Sequence, residues 1–550
     1  MSTTSTKASP SFVPRILNEE DLKIVEATIA AITSEIPFVP SRNEVTAVGS
    51  RLARNLLTHP QAVARRTLAL GAEQMKISMG ASDIVPDGKD RRFADDWYRT
   101  NPFFRRLAQS QIALEDASKR LIKDLDLDDR NRLRSELVAA LVTSAVSPSN
   151  NLLGNPAALK EAARTRGRSV VAGMRHALHD LKSNGGMPSM VDSRPFIHGE
   201  TVAATPGAVV FRNPVLELIQ YTPTTKQVFQ RPVFVVPPQI NRYYVLDLAP
   251  GRSLVEHLVS SGHQVFLVSW RNAQPEHRDW DFDTYLAALR DASDAVLEIT
   301  GSQDLNLLGV CSGGITSAAL AAYFAANGDD RVHSASFLVT ILDWGVPSTL
   351  GGLMSSRVIR TARRASQSKG VLDGKVLGKI FAWLRPNDLV WNYWVNNYLM
   401  GKNPPAFDVL AWNADTTNLP AGLHADFLTM AAENSMAEPG KVTALGTPID
   451  LRTVMCDSFV VGAVTDHITP WKACFETVNL LGGRSEFVLS SQGHIQALVN
   501  PSGNPKGEYH TNPEAIGVEM TADEWEKGAK SHKGSWWDHW TAWLKPRSGR

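Results

Sequence analysis

The stretch Asn306-Leu307-Leu308-Gly309-Val310-Cys311-Ser312-Gly313-Gly314-Ile315-Thr316-Ser317-Ala318-Ala319-Leu320 decides the fold. A short apolar run meets Gly-x-Cys-x-Gly, and a small-residue segment of helical composition, Ile315 to Ala326, follows at once. That order reads as strand, sharp turn, helix. A turn that presents one side chain between a strand and a helix brings backbones close together, so its neighbours must be small, and Gly309 and Gly313 meet that need. The residue presented is Cys311. A thiolate attacks acyl carbonyls well and leaves a thioester, which keeps the acyl group activated for another acceptor. The stretch therefore predicts an acyl-transfer nucleophile; the plainer alternative is a small buried hydrophobe, since free cysteines are commonly buried.

On either side of this turn, short β-rich runs alternate with helical ones. Pro232 to Val236 and Gln264 to Ser269 are continuous apolar runs, as expected of strands buried on both faces of a parallel sheet. Between them Ser253 to Ser260 reads as a helix that Gly262 ends. Asn306 to Val310, Ser336 to Ile341, Ser458 to Ala463 and Glu486 to Leu489 continue the series, and Val209 to Phe211 with Leu216 to Tyr221 reads as an initial hairpin. The pattern predicts a doubly wound α/β core, and the elbow makes it the α/β-hydrolase fold. One interval, about 344–445, breaks the alternation with aromatics and prolines, including Phe381-Ala382-Trp383-Leu384-Arg385-Pro386-Asn387-Asp388-Leu389-Val390-Trp391-Asn392-Tyr393-Trp394. Its place between two core strands predicts a cap that excludes water. Most of its aromatics are expected to pack the insertion's own core.

Upstream, residues 1–20 read as a flexible tail and 21–195 as a mostly helical N-terminal domain, with helical periodicity over Asp96 to Leu125 and Asp129 to Val146. Asn101-Pro102-Phe103-Phe104 is an aromatic turn suited to docking. A Gly/Pro/Ser-rich piece from Ser183 to Pro195 marks the boundary, and 196–550 form the catalytic domain with its cap. At the far end, Ser535-Trp536-Trp537-Asp538-His539-Trp540-Thr541-Ala542-Trp543-Leu544 reads as a terminal helix docked on the core.

Composition excludes several classes of function. The 550 residues suffice for two or more domains, and 43% hydrophobic with 21% charged residues is globular composition. Lys+Arg 57 against Asp+Glu 56 gives no electrostatic case for nucleic acid. The three cysteines, Cys311, Cys456 and Cys474, match neither a disulfide framework nor a metal site, and fit a reducing cytosol with no metal and no cofactor. Cys456 and Cys474 read as core residues. No signal-peptide core and no run of about 18 apolar residues occurs, so no transmembrane span is expected.

An elbow nucleophile needs a base and a group to orient it, and in this fold they follow in the order nucleophile, acid, histidine. Asp466, in Thr465-Asp466-His467-Ile468-Thr469-Pro470-Trp471, comes just beyond the apolar run Phe459 to Val464. His494, in Ser490-Ser491-Gln492-Gly493-His494-Ile495, falls in the loop after the last predicted strand. A buried carboxylate would fix the imidazole tautomer, and the free ring nitrogen would withdraw the proton from Cys311. His467 competes, but adjacent to Asp466 it is poorly placed to face it, and a structural hydrogen bond suits it better. For the oxyanion, the fold offers the amide of Ser312 and one from the loop Val236-Pro237-Pro238-Gln239-Ile240-Asn241, where Ile240 presents it.

These motifs in this order resemble the polyhydroxyalkanoate synthases: Val236-Pro237-Pro238-Gln239-Ile240-Asn241-Arg242-Tyr243-Tyr244-Val245-Leu246-Asp247-Leu248, Val268-Ser269-Trp270-Arg271-Asn272, Gly309 to Gly314, Asp466 to Trp471, and Gly493-His494-Ile495. The similarity runs from about Asn101 to the C-terminus. Gln239, Asn387-Asp388-Leu389 and Gln496 resemble the class II, medium-chain type. The resemblance implies polymerisation of (R)-3-hydroxyacyl-CoA, with release of CoA, into a polyester that separates as granules in the cytoplasm. It implies Cys311 as the acylated nucleophile, His494 as general base and Asp466 as its partner, with Ile240 and Ser312 donating to the oxyanion. Thr340, Gln492 and Gln496 are expected in the substrate pocket, with Thr340 and Gln492 standing where many medium-chain members carry serine. A homodimer and granule-associated proteins are the partners expected by analogy. The rival readings are a thiol-dependent esterase or thioesterase on the same fold, with water as acceptor, and an inactive granule-coating scaffold.

Overall fold

The computed structural model describes residues 59–348, 351–352 and 354–549. The expected tail over residues 1–20, and the start of the helical region, lie outside the described residues. Strands β1 (Gly207–Arg212), β2 (Leu216–Tyr221), β3 (Val233–Val236), β4 (Val265–Trp270), β5 (Leu305–Val310) and β6 (Val332–Leu338) come first. Two ladders of two-residue strands follow, β7 (Val371–Leu372) with β8 (Leu419–Pro420) and β9 (Thr443–Ala444) with β10 (Thr447–Pro448). Then come β11 (Asp457–Ala463), β12 (Ser485–Ser490), β13 (Glu508–Thr511) and β14 (Lys530–Lys533).

The ten long strands form one sheet in the order β1-β2-β4-β3-β5-β6-β11-β12-β13-β14. From β4 to β12 neighbouring strands run parallel, and the pairs at both margins are antiparallel. Burial explains the sequence pattern: every residue of β3 and β5 is buried, because helices cover both faces. The margins carry the opposite pattern. β1 is mostly exposed, and β14 is the polar stretch Lys530-Ser531-His532-Lys533, whose lysines discourage pairing with another chain. This is the α/β-hydrolase arrangement predicted, with a helical segment before it and an insertion between β6 and β11.

Two strand assignments change. β12 is not the last strand, because β13 and β14 extend the sheet beyond it. Neither has the apolar run that marks a buried strand. The strand after the elbow helix is Val332–Leu338 and not Ser336 to Ile341, because the chain turns at Val339 with φ +45°.

The insertion carries helices Ser356–Lys369, Gly374–Trp383, Asp408–Ala414 and Ala421–Glu433, and two π-helical turns, Asn387–Trp391 and Trp394–Leu399. Its aromatics do more than fill its own core: they seat the N-terminal helices. Trp391 Nε1 donates to Ser144 Oγ at 3.2 Å, Trp394 Nε1 to the Asn150 carbonyl at 3.1 Å, and the Tyr398 hydroxyl to Asp180 Oδ2 at 2.8 Å. Helix Arg168–Ser183 approaches so closely that a Cβ on Gly173 would lie 1.8 Å from the Tyr398 carbonyl oxygen. In the aromatic turn, Asn101 caps helix Pro102–Asp124 through the Phe103 amide, Phe104 is buried, and Phe103 is exposed.

The tryptophan-rich C-terminus is a docked helix, Trp536–Leu544, as expected. Trp536, Trp537 and Trp540 are almost wholly buried, and Trp536 Nε1 donates to the Ala497 carbonyl at 2.8 Å, Trp540 Nε1 to Ser336 Oγ at 3.0 Å. The helix thereby ties the back of β6 to the helix that carries His494. Trp540→Ala should cost about 3–5 kcal/mol, read as a fall in the denaturant midpoint.

Candidate active site

Cys311 stands between β5 and helix Ser312–Ala326 with φ +51° and ψ −121°. A non-glycine residue pays about 1–3 kcal/mol for such a conformation, so the surroundings must enforce it. They do so by contact and by hydrogen bond. The Cys311 amide donates to the Leu338 carbonyl at 2.9 Å. A Cβ on Gly309 would sit 2.7 Å from the Gly314 Cα, and one on Gly313 would sit 2.4 Å from the carbonyl oxygens of Val236 and Pro237. The elbow is therefore wedged between β6 and the loop after β3, and Cys311 at its tip is half-buried.

Asp466 lies in the turn after β11, and its carboxylate is saturated with donors. Oδ1 accepts from the amides of Ile468 at 2.8 Å and Thr469 at 2.9 Å. Oδ2 lies 2.6 Å from His494 Nδ1 and accepts from the Thr469 hydroxyl at 2.7 Å. His494 opens the short helix His494–Leu498 and does not lie in the loop before it. Its side chain is 8% exposed and that of Asp466 is 0% exposed, so their 2.6 Å contact is shielded from water. With Nδ1 engaged by the acid, the other ring nitrogen is left for Cys311, which lies close enough to act on the imidazole electrostatically.

The charges support one another. Burial opposes ionisation of Asp466, yet His494 and the donors from Thr469 hold its carboxyl below the ordinary range. Burial likewise pushes the His494 imidazole down, but the Asp466 carboxylate and the Cys311 sulfur outweigh it and raise its proton affinity.

The structure brings Cys311, His494 and Asp466 together, and it adds Thr469, which the sequence reading missed. The available signal was the spacing Asp-x-x-Thr in a turn, a pattern in which the aspartate caps the amides that follow it. Ile240 lies in the loop after β3, whose Gln239 amide donates to Ser312 Oγ at 3.2 Å, and Ser312 is the first residue of the helix, where amides lack internal acceptors. Thr340 is fully buried beneath the elbow, its hydroxyl shared between the carbonyls of Leu338 and Cys311 at 3.1 and 3.2 Å. Gln492 is half-buried beside the triad, and Gln496 is exposed on the His494 helix.

The cap reaches this site. Thr417 Oγ1 donates to the Gln239 carbonyl at 3.1 Å and Trp412 Nε1 to the Arg242 carbonyl at 2.7 Å, so the cap braces the loop that carries Ile240. His467 differs from expectation: both ring nitrogens are buried without a hydrogen-bond partner among the described residues. Burial first, and then Arg385, push its pKa down to about 4, so it is neutral at pH 7. Cys474 is fully buried and Cys456 half-buried, and burial pushes both thiols up, Cys456 to about 12.

Comparison with known proteins agrees with this geometry. Residues 89–258 match the family model described as the N-terminus of poly-beta-hydroxybutyrate polymerase, and 232–501 match the alpha/beta hydrolase fold. Poly(3-hydroxyalkanoate) polymerase 2 of Ectopseudomonas oleovorans is 46% identical over 90% of this chain and 88% of its own length. Polymerase 1 of the same organism is 43% identical over 92% and 90%, and the polymerase subunit of Cupriavidus necator 38% over 86% and 80%. A cysteine elbow with its acid and histidine in place, in a chain matched by these proteins over nearly its whole length, makes this protein a member of the poly(3-hydroxyalkanoate) polymerase family.

Proposed function

We propose that the protein is a poly(3-hydroxyalkanoate) polymerase that moves (R)-3-hydroxyacyl groups from CoA through Cys311 onto a growing polyester. The observation that carries this reading is the thiol elbow facing a buried His494–Asp466 pair. His494 takes the Cys311 proton and the thiolate attacks the acyl-CoA carbonyl. The amides of Ile240 and Ser312 hold the developing oxyanion, and CoA departs with a proton from His494. The thioester now on Cys311 is close in energy to the one consumed. His494 then deprotonates a 3-hydroxyl, which attacks it, and the oxyester formed is more stable. Chain growth is driven forward as long as water is kept from the thioester, which is the work of the cap.

The division into an N-terminal mostly helical domain, 21–195, and a catalytic domain, 196–550, belongs to the same proposal, as do a homodimer and action at the surface of cytoplasmic polyester granules. No helix of the described residues is long and apolar enough to cross a membrane. Gln492 and Gln496, which flank His494, would meet the monomer side chain, whereas Thr340 would act on it through the elbow it supports.

The test is CoA release from (R)-3-hydroxyoctanoyl-CoA against (R)-3-hydroxybutyryl-CoA, with the product sized. Polymer mainly from the longer monomer is expected of a medium-chain enzyme. Polymer mainly from the shorter one would keep the activity and overturn the chain length. Free hydroxy acid in place of polymer would make the protein a hydrolase.

A further inference from the structure

Thr469 forms the third corner of a closed triangle with the acid and the histidine. Its hydroxyl lies 2.7 Å from Asp466 Oδ2 and 3.1 Å from His494 Nδ1, while those two atoms are 2.6 Å apart. The residue is buried, as are both partners. A hydroxyl has one proton, and the only acceptor here that is always available is the carboxylate, so Thr469 donates to Oδ2. Its lone pair then faces the Nδ1–H of His494, which donates chiefly to Oδ2 and secondarily to the hydroxyl.

The position of this hydroxyl is itself fixed. The Thr469 amide donates to Asp466 Oδ1, so side chain and main chain grip the two oxygens of one carboxylate. Pro470 follows and helix Trp471–Leu480 begins, and the Thr469 carbonyl accepts from the buried Cys474 thiol at 3.5 Å. The main chain that carries the hydroxyl is therefore anchored at the start of that helix.

We infer that Thr469 is a positioning residue for the reaction: its hydroxyl holds Asp466 ionised and aimed at His494, and so sets the acid limit of activity. This rests on the triad reading above. The sign follows from what the hydroxyl does to the carboxylate. A donor to Oδ2 favours the charged form, opposing the upward push of burial. Without it, Asp466 gains a proton at higher pH, His494 loses its anionic partner, and the acidic limb of the kcat/KM profile moves up in pH. Activity above that limb depends less on the hydroxyl, because the two amides still hold Oδ1. A residue that only shaped the turn would lower activity at every pH alike.

Thr469→Val keeps the shape and removes the hydroxyl, and Thr469→Ser restores it. The variants are read by CoA release from about pH 3 to pH 9, beside Asp466→Asn and Cys311→Ala. For Thr469→Val the expected result is an acidic limb displaced upward, so that on that limb activity falls about ten- to a hundred-fold, as for loss of a buried hydrogen bond to a charged group, with a smaller change above it. Thr469→Ser should recover both. A limb that stays in place in Thr469→Val, with or without a fall in kcat, would overturn the assignment, as would a Thr469→Ser no better than Thr469→Val. Full activity in Asp466→Asn or Cys311→Ala would instead overturn the triad on which it rests.

Discussion

Cys311→Ala should abolish polymer formation and lower CoA release by at least about 10⁴-fold, the scale set by loss of a nucleophile in comparable triads. The structure gives a reason to expect so complete a loss. Of the three cysteines, Cys474 is fully buried with its thiol donating to the Thr469 carbonyl, and Cys456 is held in its protonated form by burial. Neither can substitute. The change itself is mild for the fold, because alanine meets the same positive φ with a smaller side chain and no new contact. Denaturant unfolding should therefore differ from the parent by less than about 1 kcal/mol, which separates a chemical loss from a structural one.

Gly313→Ala should be nearly as damaging, by a different route. Its added Cβ would lie 2.4 Å from the carbonyl oxygens of Val236 and Pro237, both backbone atoms that cannot rotate aside. The Pro237 carbonyl is also the acceptor of Trp270 Nε1 at 2.9 Å, and Gln239, two residues on, meets both Ser312 and the cap. Either the elbow helix or the loop must move, and both carry proposed oxyanion donors. A displacement near 1 Å in such a site costs on the order of 10²-fold in rate, and overpacking costs about 1–3 kcal/mol in stability. CoA release and urea unfolding read the two effects. Gly71→Ala, on helix Pro60–Met79 with nothing near the added Cβ, is the control and should be neutral or stabilising by about 0.5–1 kcal/mol.

What the sequence disclosed and what it withheld divide along physical lines. Strands buried on both faces, β3, β4, β5 and β11, have continuous apolar runs and were legible, as was the elbow, whose glycines answer to contacts under 3 Å. Asp466 and His494, which the structure brings into contact, could be named because the fold fixes their order and places them after strand ends. β13 and β14 were not found, since marginal strands paired on one side need no apolar run. The role of the cap aromatics was half seen. Most of the aromatics were expected to pack the insertion's own core, but the partners of Trp391, Trp394 and Tyr398, namely Ser144, Asn150 and Asp180, lie more than 200 residues away in sequence. Thr469 escaped for a related reason, because its hydroxyl matters only once His494 has been brought to the same carboxylate oxygen. His467 was misjudged because its neighbour Arg385 comes from the cap, and nothing local shows that its nitrogens are sealed without partners.

The central claim is that the acyl group travels through Cys311 as a thioester. Rapid quenching of the protein with (R)-3-hydroxyoctanoyl-CoA, followed by digestion and mass analysis, tests it most directly. The account predicts an acyl group on the peptide containing Cys311, formed together with released CoA and absent from Cys311→Ala. Polymer formation with Cys311 unmodified throughout, or with the acyl group on another residue, would contradict it.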